Sequence, residues 1–105
     1  MANGAEIEWA DEQKCTPIHL ACKKGHTESV ALLLTSGANI YACDTRQWSP
    51  LHYAAYNGFK KVCNQLLKWE ADKDILRDMK NSQHKKAIHI CKNHDTKEGF
   101  KRKIY

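Results

Sequence analysis

Apolar residues in the middle of the chain recur at the spacing of an amphipathic helix. Val30, Leu33 and Leu34 stand at i, i+3 and i+4, which places their side chains on one face of a helix. The same spacing returns 33 positions later, at Cys63, Leu66 and Leu67. The pattern therefore predicts two helices that each bury one apolar face, one in each copy of a repeated unit.

A shorter helix is predicted before each of these. Thr16-Pro17 and Ser49-Pro50 read as helix starts, because a hydroxyl can accept from unpaired backbone N–H groups and proline suits the first helical position. Gly25 and Gly58 follow eight residues after the prolines, where a left-handed residue commonly ends a helix. Each unit thus reads as helix, turn, helix and then an extended polar loop.

The period of this pattern is 33 residues. Ten residues are identical to the residue 33 positions further along the chain: Gly4, Ala5, Ile7, Asp11, Pro17, His19, Ala21, Gly25, Leu33 and Leu34. A fixed period of about 20 to 50 residues is the signature of a repeat array, in which each unit buries its apolar face against its neighbours.

The two helix starts carry a family signature. Residues 16–21 (TPIHLA) and 49–54 (SPLHYA) resemble the ankyrin motif T-P-L-H-x-A at its period of about 33 residues. The resemblance covers residues 4–76. It implies an all-α ankyrin-repeat solenoid of helix-turn-helix pairs joined by extended hairpin loops. It also implies that His19 and His52 are structural residues that hydrogen-bond neighbouring loops.

We divide the chain on this basis as one domain, residues 1–105. Its parts are the end of a preceding repeat with its loop (4–15), repeat one (16–48), repeat two with a long loop (49–85) and a degenerate capping repeat (86–105). Residues 87–91 match residues 50–54 at an offset of 37, so we expect four extra residues between Ile75 and Lys85. A short final helix is expected from Thr96 to about Lys103. The incomplete first unit suggests a piece of a longer array.

Three positions depart from the family pattern. Lys14 and Gln47 stand where the loop usually has glycine, and Glu70 replaces the glycine before Ala71. If the backbone is left-handed there, each non-glycine residue costs about 1 kcal/mol. The departures predict local strain without changing the predicted fold.

The resemblance also implies where a partner protein binds, namely the concave face formed by loop tips and first helices. The family's variable positions on that face correspond to Glu12, Gln13, Cys15, Lys23, Lys24, Thr45, Arg46, Trp48, Tyr56 and Asn57. Arg46, Trp48 and Tyr56 are of the residue types enriched in interface hot spots. The alternative for Trp48 is that its ring folds back over its own repeat. Trp69 is expected to pack or to contact the parent protein, and Trp9 to cover the front edge.

Charge adds one alternative function. The net charge of +5 comes from the last quarter of the chain, whose basic residues are Lys80, Lys85, Lys86, Lys92, Lys97, Lys101, Arg102 and Lys103. These can bind phosphate or an acidic partner through counterion release, but no aromatic interleaving or nucleic-acid fold signature accompanies them. Nucleic-acid binding therefore stays an alternative, as does a purely architectural role inside a longer array.

No catalytic or cofactor chemistry stands out. His19, Cys22 and His26 share spacing but are interrupted by Gly25, and structural zinc usually needs four ligands in paired spacings. The group at His89, Cys91 and His94, and the pair Cys15 and His19, are no better placed. We expect no enzyme, no cofactor, no metal and no small-molecule substrate.

The cysteines and the hydropathy bear on location. The five cysteines are odd in number and follow no disulfide framework, which suits an intracellular protein of the cytoplasm or nucleus. No apolar run approaches the roughly 20 residues of a membrane span, and no signal peptide is read at the N-terminus.

Overall fold

The computed structural model describes residues 10–70 and 75–91. Within these ranges the chain forms α-helices, one turn of 3-10 helix and no β-strand. The elements are α1 (Pro17–Lys24), α2 (Thr27–Thr35), α3 (Pro50–Tyr56), α4 (Lys60–Glu70), α5 (Ile75–Asp78) and the 3-10 turn Ala87–Ile90. The predicted all-α arrangement of helix pairs is confirmed. No helix in the described part is both long and apolar enough to cross a membrane.

The predicted helix ends are present in both pairs. Gly25 (φ +73°) and Gly58 (φ +77°) adopt the left-handed conformation, as predicted for the ends of α1 and α3. Ser49 Oγ accepts the N–H of His52 at 3.3 Å. In both pairs the same hydroxyl also lies near a histidine ring, with Thr16 Oγ1 2.9 Å from Nδ1 of His19 and Ser49 Oγ 2.8 Å from Nδ1 of His52.

The two helix pairs stack in register. Helix α1 packs against α3, and α2 packs against α4, so the first helices form an inner layer and the second helices an outer one. The core lies between these layers, and its largest fully buried apolar side chains are Ile18, Val30, Leu51, Val62, Leu66, Leu67 and Leu76. The apolar faces read from the sequence are therefore the buried faces.

Three loop tips repeat one turn. Asp11, Asp44 and Asn81 each use Oδ1 to accept the backbone N–H groups two and four residues later, at 2.9 to 3.0 Å. Successive tips are joined by backbone hydrogen bonds, from Thr45 N–H to the Gln13 carbonyl and from Ser82 N–H to the Arg46 carbonyl. The third loop is thus a full copy of the other two, and the chain upstream of Asn81 accommodates the offset of 37 with the extra helical turn α5.

The same turn contains a left-handed residue in every copy. Lys14 (φ +64°), Gln47 (φ +61°) and His84 (φ +61°) are all left-handed and all non-glycine. The sequence predicted this at Lys14 and Gln47 and missed His84. Each side chain is strained there, because Cβ approaches the following carbonyl oxygen.

Gln47→Gly is expected to stabilise the protein. Removing Cβ at φ +61° relieves about 1–2 kcal/mol of strain, and the extra freedom of glycine in the unfolded chain returns about 0.4–1 kcal/mol. The net gain should be about 0.5–1 kcal/mol, measured by urea unfolding. Gln13→Gly, in the preceding loop outside the left-handed region, is the matched control and should lower stability. No gain at Gln47 would contradict the strain.

Glu70 does not cause the backbone strain that the sequence predicts at its position. It is the last residue of α4 and therefore right-handed, so the strain considered for this position does not arise. Its carboxylate is buried and accepts the backbone N–H of Leu76 through both oxygens, at 3.2 and 3.0 Å. Glu70 therefore anchors the start of α5, whose Leu76 side chain is fully buried.

The start of the third unit is short. Ala87 is fully buried, and the 3-10 turn that it opens packs against α3. The backbone N–H of Lys86 donates to Nδ1 of His89 at 3.1 Å, as in the two helix pairs before it. The helix expected over residues 96–103 lies outside the described residues, as do Trp9 and His94.

Candidate partner-binding site

A hollow of about 240 Å³ opens where the first and second helix pairs meet on the inner side. We call it the inner hollow, and its lining residues are Lys23, Arg46, Trp48, Tyr53, Tyr56 and Asn57. They come from the last turn of α1, the loop before α3, helix α3 and the residue that follows it. Asn57 joins the two repeats, because its Nδ2 donates to the Lys23 carbonyl at 3.0 Å.

Three aromatic rings form one wall of the inner hollow. Tyr53 and Tyr56 are three residues apart on α3, so they share one face of the helix. The Trp48 ring centroid lies 5.0 Å from that of Tyr53 and 5.5 Å from that of Tyr56, the latter edge to face. Tyr56 is 46% exposed, so this wall remains accessible although Trp48 packs over α3.

Two cations lie over this wall. The guanidinium carbon of Arg46 is 5.0 Å from the Trp48 ring centroid, and Nζ of Lys23 is 5.9 Å from that of Tyr53. Both distances are within the range of cation–π attraction. The rings therefore hold two positive charges at the rim of the inner hollow.

A buried carboxylate fixes the floor. Asp44 accepts the backbone N–H groups of Arg46 and Trp48 at 2.9 Å each, and it accepts the Tyr53 hydroxyl through Oδ2. Nη2 of Arg46 donates to the same hydroxyl at 3.3 Å. Burial alone would raise the pKa of Asp44, but the donated hydrogen bonds outweigh it and lower that pKa. The pKa of Tyr53 is raised, first by burial of its hydroxyl and second by the hydrogen bond that the hydroxyl donates to Asp44.

Histidines tie the inner hollow to the helices. Nδ1 of His19 accepts the Thr16 N–H at 3.1 Å, so its proton is on Nε2 and is donated to the Trp48 carbonyl at 2.9 Å. Nε2 of His52 makes the equivalent bond to the Lys85 carbonyl at 2.9 Å. Burial lowers the pKa of both rings. Their loop-bonding role, expected from the resemblance, is confirmed.

Comparison with known families agrees with this geometry. A family model described as ankyrin repeats (3 copies) matches residues 1–78. The chain belongs to the ankyrin-repeat family. Ankyrin repeats are generally protein-protein interaction modules, and the residues that this match covers include the whole of the inner hollow.

Several ankyrin-repeat proteins are similar in sequence. Inversin of Canis lupus familiaris is 33% identical over 98 residues, which are 93% of this chain and 9% of inversin. The human transient receptor potential cation channel subfamily A member 1 is 37% identical over 68 residues, 65% of this chain and 6% of the channel. Human protein phosphatase 1 regulatory subunit 27 is 36% identical over 61 residues, 58% of this chain and 40% of that protein. The chain therefore spans less than half the length of each.

The predicted partner-binding residues fall into four groups. Those in the inner hollow are Lys23, Arg46, Trp48, Tyr56 and Asn57. Those exposed at the loop tips are Glu12, Gln13 and Thr45. Cys15 is buried, with its thiol 3.9 Å from Asp44 Oδ2. It is therefore not accessible to a partner, contrary to the expectation for this variable position. Lys24 lines a different hollow on the front of the first ankyrin repeat.

That front hollow, of about 370 Å³, is the stacking face of the first repeat. Its lining residues are Pro17, Leu20, Ala21, Lys24, His26, Ser29, Leu32 and Leu33. The residues 33 positions later make the contact between the two repeats. Examples are the fully buried Val62 and Leu66, and Gln65, whose Nε2 donates to the Thr27 carbonyl at 2.9 Å. Leu32, the counterpart of Gln65, is 52% exposed.

Sequence reasoning missed part of the site. Tyr53 occupies the variable position x of the motif T-P-L-H-x-A, where the first repeat has Leu20. Tyr53 was not among the residues predicted to bind a partner. Asp44 entered only as the repeat counterpart of Asp11. The third loop extends the same face with three exposed residues, Ser82, Gln83 and Lys85. They are equivalent to Thr45, Arg46 and Trp48. This equivalence was not predicted, because the offset there is 37 residues rather than 33.

The other candidate chemistry is dispersed or buried. Among residues 10–70 and 75–91, no three histidine, cysteine, aspartate or glutamate side chains are grouped as metal ligands. Burial raises the pKa of Cys15, Cys22 and Cys63, which disfavours the reactive thiolate. Trp69 is 52% exposed on the outer layer, where it borders a hollow with Leu34 and Lys68.

Part of the basic segment is described. Lys80 and Lys85 are exposed, and Lys86 forms an ion pair with Asp78 at 3.3 Å. Lys92, Lys97, Lys101, Arg102 and Lys103 lie outside the described residues. Of the three described lysines, none lines the inner hollow.

Proposed function

We propose that this chain is a protein-interaction domain that holds its partner at the inner hollow and the adjoining loop tips. The observation that carries the proposal is the partly exposed cluster of Arg46, Trp48 and Tyr56 at the inner hollow. Tryptophan, tyrosine and arginine are the residue types enriched in the hot spots of known interfaces. We assign the domain no catalytic step.

The cluster is also prepared for binding before a partner arrives. Asp44 fixes the backbone of Arg46 and Trp48, and His19 fixes the Trp48 carbonyl. A side chain that is already ordered loses less conformational entropy on binding. The rigid turn beneath the aromatic wall therefore supports recognition rather than packing alone.

Affinity capture tests this proposal. The chain carrying Trp48→Ala and Tyr56→Ala should lose at least about 30-fold in partner affinity, because even one hot-spot ring is worth about 2 kcal/mol or more. Proteins captured from cell extract would be quantified by mass spectrometry, and the affinity of the main one measured with purified material.

Trp69→Ala is the matched control, because it removes an exposed tryptophan from the outer layer. It should retain the partner, and all variants should keep the wild-type helical circular dichroism. Partner affinity unchanged in the Trp48→Ala, Tyr56→Ala variant would reject the inner hollow as the site.

A second candidate is a structural role within a repeat array, and the front hollow favours it. This face matches the face by which the second repeat packs on the first, and it leaves Leu32 half exposed. A helix pair similar to the chain's own would bury it. Rejection of the inner hollow in the capture experiment would leave this role as the better account.

A further inference from the structure

We propose that the partner segment bound at the inner hollow is an acidic peptide, with a carboxylate next to an apolar side chain. This inference rests on the proposed function and adds the chemistry of the partner. It starts from two exposed cations, Lys23 and Arg46, that lie over an aromatic wall.

Charge decides the sign of the ligand. Among the described residues that line the inner hollow, two are cationic and none is acidic. The nearby carboxylate of Asp44 is buried beneath the wall and already accepts hydrogen bonds from Arg46, Trp48 and Tyr53. An incoming anion therefore meets positive charge and no exposed negative charge from the lining.

The aromatic wall does not form a site for a cation. Three rings near one another can bind a lysine or a quaternary ammonium over their faces. Here the Trp48 and Tyr53 rings already have Arg46 at 5.0 Å and Lys23 at 5.9 Å. A basic ligand would be repelled by both, whereas the guanidinium of Arg46 has five N–H donors and suits bidentate contact with a carboxylate.

Size limits the occupant. The inner hollow measures about 240 Å³, below the roughly 300–1,000 Å³ of pockets for drug-sized molecules. It fits one side chain and its flanking backbone. The edges of Trp48 and Tyr56 favour an apolar side chain there, while the rim cations take a carboxylate from a neighbouring residue of the same peptide.

A peptide fits better than single-stranded nucleic acid. Non-specific strand binding uses a basic groove with aromatic platforms for successive bases. The aromatic wall is confined to α3 and the loop before it. The loop tips on either side carry Glu12 and Gln13, and Ser82, Gln83 and Lys85. A single aromatic platform, with no further phenylalanine, tyrosine or tryptophan at these tips, is a poor track for a strand.

The test uses the full 105-residue chain and a phage library of random 12-residue peptides. Enriched peptides should place aspartate or glutamate within two residues of an aromatic or aliphatic residue. Fluorescence anisotropy would then give Kd for the best peptide and for its counterpart with every carboxylate replaced by the amide. The amide peptide should bind about tenfold more weakly or worse.

Two variants of equal charge change locate the effect. Lys23→Gln with Arg46→Gln removes the rim cations and should weaken the acidic peptide at least about tenfold while affecting the amide peptide little. Lys24→Gln with Lys68→Gln removes two cations that do not line the inner hollow. This control should change the affinity less than about threefold, because exposed charges act only through screened long-range attraction.

The outcomes separate the two proposals. If peptide binding requires Trp48 and Tyr56 but is indifferent to carboxylates or to Lys23 and Arg46, the acidic ligand is rejected and the protein-interaction site stands. If binding ignores Trp48 and Tyr56, or if no peptide is enriched, both fail at this hollow. A labelled oligouridylate that binds more tightly than the peptides, and is lost with Lys23→Gln and Arg46→Gln, would overturn the acidic peptide in favour of nucleic acid.

Discussion

Asp44→Ala is expected to lower the free energy of unfolding by about 3 kcal/mol, measured by urea denaturation. The substitution removes the acceptor of two backbone N–H groups and of the buried Tyr53 hydroxyl. An unsatisfied buried donor costs about 1–3 kcal/mol, and partly exposed donors cost less because water replaces the acceptor. The N–H donors of Arg46 and Trp48 are partly exposed. The total cost of losing the three hydrogen bonds therefore stays at about 3 kcal/mol, the sum of three minimal penalties.

Asp44→Asn separates the oxygen from its charge. The third loop shows that an asparagine can make this turn, because Asn81 Oδ1 accepts the N–H groups of Gln83 and Lys85. Asp44→Asn should therefore cost only about 1 kcal/mol. Asp11→Ala is the second control, since Asp11 accepts two N–H groups at a more exposed loop. A loss in Asp44→Asn equal to that in Asp44→Ala would contradict the role assigned to Oδ1.

Acid unfolding gives the same residue an independent signature. The folded-state pKa of Asp44 lies below its ordinary value of 3.8. The unfolded chain therefore takes up a proton first as the pH falls. The stability that Asp44 contributes is present above pH 3.8 and is lost as the pH falls from there through the folded-state pKa. Asp44→Asn should flatten this part of the stability curve.

The helix pairs could be predicted because their signals are local. Proline at the first helical position, glycine at the end and apolar residues at i, i+3 and i+4 each act within one or two turns. The left-handed backbone at Gln47 was expected from the family pattern, which usually has glycine at that position. His19 came from the family resemblance, and its bond to the Trp48 carbonyl crosses from one repeat to the next loop.

The inner hollow could be predicted only in part because it depends on contacts between repeats. The choice of Lys23, Arg46, Trp48 and Tyr56 came from positions that vary within the family. Nothing local showed that Tyr53 would donate to a buried Asp44, or that Lys23 would lie over the Tyr53 ring. The first contact is set by how the loop folds back on α3, nine residues along the chain. The second forms only after the two repeats stack.

Glu70 shows the opposite error. A charged residue in place of a glycine looked like a source of strain, but it continues α4 and bonds the Leu76 N–H. Its effect depends on where the chain goes after the helix ends. The extra turn α5 adds four residues to the repeat. Neither this contact nor the equivalence of Asn81 to Asp44 can therefore be found by comparing residues 33 positions apart.

Gly25→Ala is expected to be nearly as destabilising as Asp44→Ala, at about 3 kcal/mol in urea unfolding. Gly25 is left-handed, at φ +73°, and a Cβ there would lie 2.9 Å from three ring carbons of Phe59. One of them is Cγ, which a rotation about χ2 does not move, so the ring can yield only through a change of χ1 or of the backbone. That backbone is held by the bond from Phe59 N–H to the Ala54 carbonyl, at 2.9 Å.

Gly37→Ala isolates the steric part of this loss. Gly37 is also left-handed, at φ +92°, but a Cβ there would have no neighbour within 4 Å. Its cost should be backbone strain alone, about 1 kcal/mol after the gain from a less flexible unfolded chain. The difference between the two alanine variants then measures the close packing of the first repeat on Phe59.

A double-mutant cycle completes the argument. Phe59→Ala removes the ring that a Cβ at position 25 would meet, so Gly25→Ala should cost only about 1 kcal/mol in that background. The expected coupling of about 2 kcal/mol reports contact between the first turn of one repeat and the next repeat. Equal costs of Gly25→Ala with and without the Phe59 ring would show that strain alone sets the requirement for glycine. Stacking of the two repeats, and with it the inner hollow, would then depend on α1 and α3 rather than on this contact.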